Sequence, residues 1–146
     1  MNVRKIVIGG LAAGLLINVS EFVLNGVVLM EQAEAYMSEV GLSYASWAMP
    51  VYVVMAFVWG FGLVATYAAV RPRLGAGPRT ALIVGIAFWV FAMFLPAVSM
   101  AAVGLAGGGM LPIALAWTLV EACAASLLGA RLYAEADAPA AARAPA

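Results

Sequence analysis

The sequence predicts an all-α integral membrane protein, folded as an antiparallel four-helix bundle with both termini cytoplasmic. Three observations carry that prediction. Of 146 residues, 66% are hydrophobic and 10% charged, with a mean hydropathy of +1.07; soluble domains are nearer half apolar and a quarter charged. Four apolar stretches, at about residues 6–30, 47–70, 80–103 and 111–133, each exceed the roughly 20 residues a helix needs to cross a bilayer. The third observation is that Lys and Arg occur only before the first stretch, between the second and third, and after or at the end of the fourth. Helices follow from the lengths, because lipid cannot satisfy exposed backbone groups.

The first stretch begins after Arg4 and Lys5 and stays apolar to residue 30. A signal peptide has an apolar region of only about 7–15 residues, so this one is read as a retained span. The link 31–46 carries Glu31, Glu34 and Glu39, with a partly apolar face from Tyr36, Met37, Val40 and Leu42. It reads equally well as a short surface helix or as an extension of the first span. Tyr44 and Trp47 open the second span and Tyr133 closes the fourth, positions that suit an interfacial aromatic belt. Gly60, Gly62 and Thr66 read as helix contacts. Segment 71–79 mixes Pro and Gly with three Arg and reads as a short turn. Pro96 is expected to kink the third span, where Gly85, Trp89, Ala92, Pro96 and Ser99 share an inward face. Gly107, Gly108 and Gly109 suit a tight link. Residues 1–134 form one domain, and the Ala/Pro-rich tail 135–146 is expected to be disordered.

The charges orient the bundle. All seven cations fall on one side; with Glu135 and Asp137 that face carries +5, whereas the opposite face, with Glu31, Glu34 and Glu39, carries −3. The positive-inside rule places the cationic side in the cytoplasm.

The inventory also excludes chemistry. The chain has no His and one Cys, Cys123, so imidazole metal sites, thiolate cages, an intrachain disulfide and His-based catalytic triads cannot be assembled. No cofactor is expected. The balanced charge gives no basis for binding nucleic acid. Cys123 reads as small packing, and the eight scattered Met give no copper pathway.

Two acids, Glu21 and Glu121, lie inside the spans. A charged carboxylate there costs a few kcal/mol, and intramembrane acids are functional candidates by default. No Lys or Arg lies in the spans apart from Arg131 at the inner end of the fourth. Both acids are therefore expected to be neutral hydrogen-bond donors, and Glu121, the deeper one, to carry a proton unless a water-filled cavity reaches it. In the first span, Gly10, Gly14, Asn18, Glu21 and Asn25 fall within a sector of roughly 80° on a helix. Ala114, Thr118, Glu121, Ala125 and Gly129 form a similar stripe in the fourth. Small residues permit close backbone approach, so the two stripes are expected to pair, glycine end to glycine end. At about 1.5 Å per residue, Glu21 lies roughly 24 Å from Lys5 and Glu121 roughly 15 Å from Arg131. That offset favours Glu121 to Asn18 and Thr118 to Glu21 as cross-helix bonds over a carboxyl pair sharing a proton. The candidate intramembrane polar site is therefore Asn18, Glu21, Asn25, Thr118 and Glu121, read either as a proton or cation site or as structural glue.

The run Gly10-Leu11-Ala12-Ala13-Gly14, then Asn18-Val19-Ser20-Glu21-Phe22-Val23-Leu24-Asn25-Gly26, a later Gly41-Leu42-Ser43 and a late span with one acid resemble small bacterial four-span membrane proteins of unknown function. The resemblance implies residence in a bacterial cytoplasmic membrane and implies no catalytic residue. The expected role is non-enzymatic: binding or permeation of a small solute or ion, proton-coupled, through a homo-oligomer, since four spans are few for a complete path. The alternative is a structural or assembly subunit of a larger membrane complex.

Overall fold

The computed structural model describes residues 2–105 and 109–135, with side chains through Tyr133. The expectations for Gly107, Gly108, Asp137, Arg143 and most of the tail lie outside the described residues. Within them the protein is all-helical, with four stretches long and apolar enough to cross a membrane: Val3–Val28, Ala48–Leu74, Pro78–Ala102 and Met110–Tyr133. The first begins earlier than its apolar run suggests because Asn2 caps it, its side-chain oxygen accepting from the Lys5 amide at 3.3 Å.

Two of the four spans are not continuous α-helix. Helix α1 (Val3–Val23) runs into a π-turn at Leu24–Val28, closed by the Leu29 amide donating to the Leu24 carbonyl at 2.8 Å. After Leu29 comes a short helix, α2 (Met30–Glu39), so the acidic link is largely helical. Helix α3 (Ala48–Leu74) is unbroken. The third span divides into α4 (Pro78–Trp89), a π-turn at Val90–Phe94 and α5 (Leu95–Ala102). Pro96 supplies no amide proton for an ordinary helical bond, and the backbone widens just before it, the Leu95 amide reaching the Val90 carbonyl. Helix α6 spans Met110–Glu135.

Glycine decides how the helices meet. Along α1 and α3, four residues forward on one is four residues back on the other. A side chain on Gly10 would strike Phe61, one on Gly14 would strike Phe57, and Asn18 donates to the Val53 carbonyl at 3.3 Å. A Cβ on Gly60 would stand 2.6 Å from the Gly10 carbonyl oxygen, so the two backbones touch there. The Gly10/Gly14 edge therefore faces α3. Helix α6 instead meets Gly9, whose added Cβ would lie 2.9 Å from the Gly129 carbonyl oxygen, with Ala13 beside Gly129. The expected pairing of glycine ends holds one residue round the helix from where the stripe put it. Helices α4 and α6 mesh through Gly85 against Ala122 and Cys123, and the Ser126 hydroxyl donates to the Ala81 carbonyl at 2.7 Å.

The end that holds the N-terminus and the α3–α4 connection is tightly closed. Tyr67 and Tyr133, both buried, meet edge to face at 6.1 Å. The Tyr67 hydroxyl accepts from the Gly77 amide at 3.1 Å and the Tyr133 hydroxyl from the Asn2 amide at 3.4 Å. Lys5 and Arg71 lie over the Tyr133 ring at 5.9 and 5.5 Å. Tyr133 is thus a clasp among three chain segments, not the outward-facing belt residue its position suggested; Tyr44 and Trp47 are exposed, as a belt requires. In the connection, Gly75 and Gly77 take φ of 86° and 134°, values other residues resist. Thr80 Oγ1 donates to the Gly75 carbonyl at 2.8 Å.

The other end is loose. Span two buries 33% of its most apolar stretch and span three only 17%, so α4 and α5 are the least embedded part. No residue of α5 is buried, and Pro96 and Ser99 of the expected inward face are exposed.

Candidate functional site

The polar residues of α1 and α6 divide by direction. Asn18 donates to the Gly14 carbonyl at 2.9 Å and to Val53 across the helix pair, so it is committed to α3 and is not bonded to Glu121. Thr118 donates to the Ala114 carbonyl at 2.8 Å and accepts from Trp89 Nε1 at 3.1 Å, which commits it to the third span. Trp89 is the one polar group of its expected inward face that makes such a bond. Asn25 donates to both the Glu21 carbonyl oxygen at 3.1 Å and Glu21 Oε2 at 2.6 Å, so these two form an intrahelical pair.

What comes together is smaller: Glu21, Ser20, Trp117 and Glu121. Trp117 Nε1 donates to the Ser20 hydroxyl at 2.8 Å, bridging α6 to α1. The Ser20 hydroxyl in turn faces the Glu121 carboxyl, within the electrostatic reach of Glu21. Glu121 is 5% exposed, and its Oε2 is buried without a hydrogen-bond partner among the described residues. Buried polar atoms are almost always paired, so this oxygen is the outstanding polar atom of the spans.

Counting residues along the axes sets the two acids apart, and side-chain direction shortens that separation. Side chains tilt toward the N-terminus of their own helix. Asn2 meets Tyr133 and Ser20 meets Trp117, so the N-termini of α1 and α6 lie at opposite ends of the pair. Glu21 therefore leans toward the closed end and Glu121 toward the open one. Trp117 was the missed residue; its signal was its place one turn before Glu121 on the same face.

Above this cluster lies an open groove of about 310 Å³, lined by Asn25, Leu29, Ala97, Met100, Met110 and Ala114 among others. Asn25, which donates to Glu21, borders this groove, and neither acid lines it. A second groove, of about 360 Å³, lies between α3 and α4 along Thr66, Val84 and Phe88; its one polar residue is Thr66. Among the described residues no group of three His, Cys, Asp or Glu is placed to hold a metal.

No family model matches the chain, and no curated protein or solved structure resembles it significantly.

Proposed function

We propose that the chain is a multi-pass protein of a bacterial cytoplasmic membrane. In this reading it is an antiparallel four-helix bundle with both termini cytoplasmic, and it binds and passes a small ion or solute, proton-coupled, as a homo-oligomer. The role is non-enzymatic. The opposed numbering of the α1–α3, α1–α6 and α4–α6 contacts supports the antiparallel arrangement. The gathering of Lys5 and Arg71 around Tyr133 at the closed end supports a cytoplasmic assignment of that end.

The observation that carries the functional reading is Glu121 Oε2, buried and unpartnered beside Ser20 and Glu21. Structural glue would pair its oxygens. A group that takes up and gives back a proton or cation leaves one free.

The test is proton flux in proteoliposomes of purified protein, driven by a potassium diffusion potential and read by an internal pH dye. Flux in the wild type that Glu121→Gln removes and Glu121→Asp partly restores is the expected result. A wild type without flux that purifies in mild detergent with a stoichiometric partner supports the assembly-subunit alternative instead.

A further inference from the structure

We propose that the groove between α3 and α4 holds an acyl chain of one anionic phospholipid, whose phosphate is met by Arg73 and Arg79 at the connection joining those helices. The site uses no residue of the acid cluster and needs only that the chain spans a membrane, so it stands apart from the proton reading.

The groove selects a hydrocarbon chain. Val84, Ala87, Phe88 and Phe91 recur at the three- and four-residue spacing of one helix face and line it from α4, with Thr66 contributed by α3. Phe88 lies against α3 at Gly62, where an added Cβ would stand 3.7 Å from its ring. Thr66, Ala87 and Phe91 are exposed, so in a bilayer this groove of about 360 Å³ faces lipid. A polar ligand would find one hydroxyl there; an acyl chain finds aromatic rings and alanine.

The connection selects the charge of the head. Arg73 comes seven residues after Thr66, within about 20° of it round the helix, and Arg79 stands in the first turn of α4. At about 1.5 Å per residue, Val84 lies roughly 8 Å and Phe91 roughly 18 Å from Arg79. That range matches the chains of one leaflet in a hydrocarbon core about 30 Å thick, so a phosphate at the level of the arginines sets its chain beside the groove. Arg71 is engaged over the Tyr133 ring, whereas Arg73 and Arg79 are exposed. From residue 40 to residue 120 the sequence has these three Arg and no Asp or Glu, so no acid of this region competes for them. Guanidinium meets phosphate oxygens in pairs, and basic groups between spans suit anionic headgroups. A second copy docked by the same face would set its own Arg73 and Arg79 against these, like charge on like.

The test titrates full-length protein in detergent with phosphatidylglycerol, or with phosphatidylcholine of the same chains, and counts bound lipids by native mass spectrometry. One phosphatidylglycerol is expected to bind about tenfold or more tighter than phosphatidylcholine. Arg73→Gln and Arg79→Gln are each expected to weaken it about fivefold, as for one cation at a membrane surface. Ala87→Phe fills the groove and keeps both arginines, and is expected to weaken the same lipid about tenfold. All three replaced side chains are exposed, so the variants are expected to fold. Soluble glycerol phosphate, a head without a chain, is expected not to displace the lipid.

Equal affinity for the two lipids overturns the proposal, as does unchanged binding in the double Arg variant. Unchanged binding in Ala87→Phe, or displacement by glycerol phosphate, shows recognition of the head alone and overturns it too. A protein dimer that Ala87→Phe dissociates and phosphatidylglycerol leaves intact assigns the groove to a second copy instead.

Discussion

The two ends of this small bundle are built on different principles. At the closed end, contact is backbone to backbone. Gly9 meets Gly129 and Gly60 meets Gly10 and Gly14, while Tyr67 and Tyr133 tie the connection and the N-terminus together. Lipid offers no hydrophobic drive for one helix to leave it for another, so close packing by small residues must hold such helices together. At the open end that principle lapses. Both interrupted spans change to π-turns as they approach this end, α5 buries none of its residues, and polar side chains replace glycine at the helix contacts. The lesson is a division of labour: substitutions at the closed end should act on stability, and substitutions at the open end on the site.

The sharpest way to break the comparison is at Gly60. Gly60→Leu would force a side chain into the α1 backbone, and no folded monomer is expected by detergent-resistant gel migration or thermal unfolding. Gly60→Ala is the milder form, expected to cost about 1–3 kcal/mol as an overpacked contact, with residual flux scaling with folded protein. Glu121→Gln inverts this pattern. Its unfolding midpoint is expected to stay near that of the wild type, since one carboxyl oxygen has no partner to lose, while proton flux disappears.

Smaller effects sharpen the same line. Trp117→Phe removes the donor to Ser20 and is expected to cost about 0.6–1.7 kcal/mol, the range of bonds between membrane helices. It should also change the pH dependence of flux, because Ser20 loses the bond that orients it toward Glu121. Tyr133→Phe removes a long bond of 3.4 Å to Asn2 but keeps the ring that Tyr67, Lys5 and Arg71 contact. It is expected to change stability by no more than about 0.5 kcal/mol and to leave flux unaltered.

Much of this was legible in the sequence, because spanning length and apolar content are bulk properties. Four spans emerge within a few residues of their apolar runs. Helix direction round the axis was harder to read. The stripe through Gly10, Gly14, Asn18, Glu21 and Asn25 spans roughly 80°, wide enough to straddle two neighbours, and α3 and α6 divide it. The depth count of Glu21 and Glu121 followed backbone rise alone; the opposed lean of the two side chains shortens the offset it gives. The Ser20–Trp117 bridge was not visible because a tryptophan in an apolar run looks like packing. Pro96 announced a disturbance, but no feature of the run told a kink from a π-turn.

The central claim is that the acids lie at the foot of a half that opens away from the termini, sealed from the other side. Cysteine accessibility tests it most directly. In a Cys123→Ser background, Ala114→Cys in the groove and Ala125→Cys in the packed half are treated with a membrane-impermeant thiol reagent in vesicles of each orientation. The account predicts that position 114 reacts only when the reagent is on the side opposite the termini, and that position 125 reacts from neither side. Protection of position 114 from that side, or labelling of position 125 from the terminal side, would contradict it.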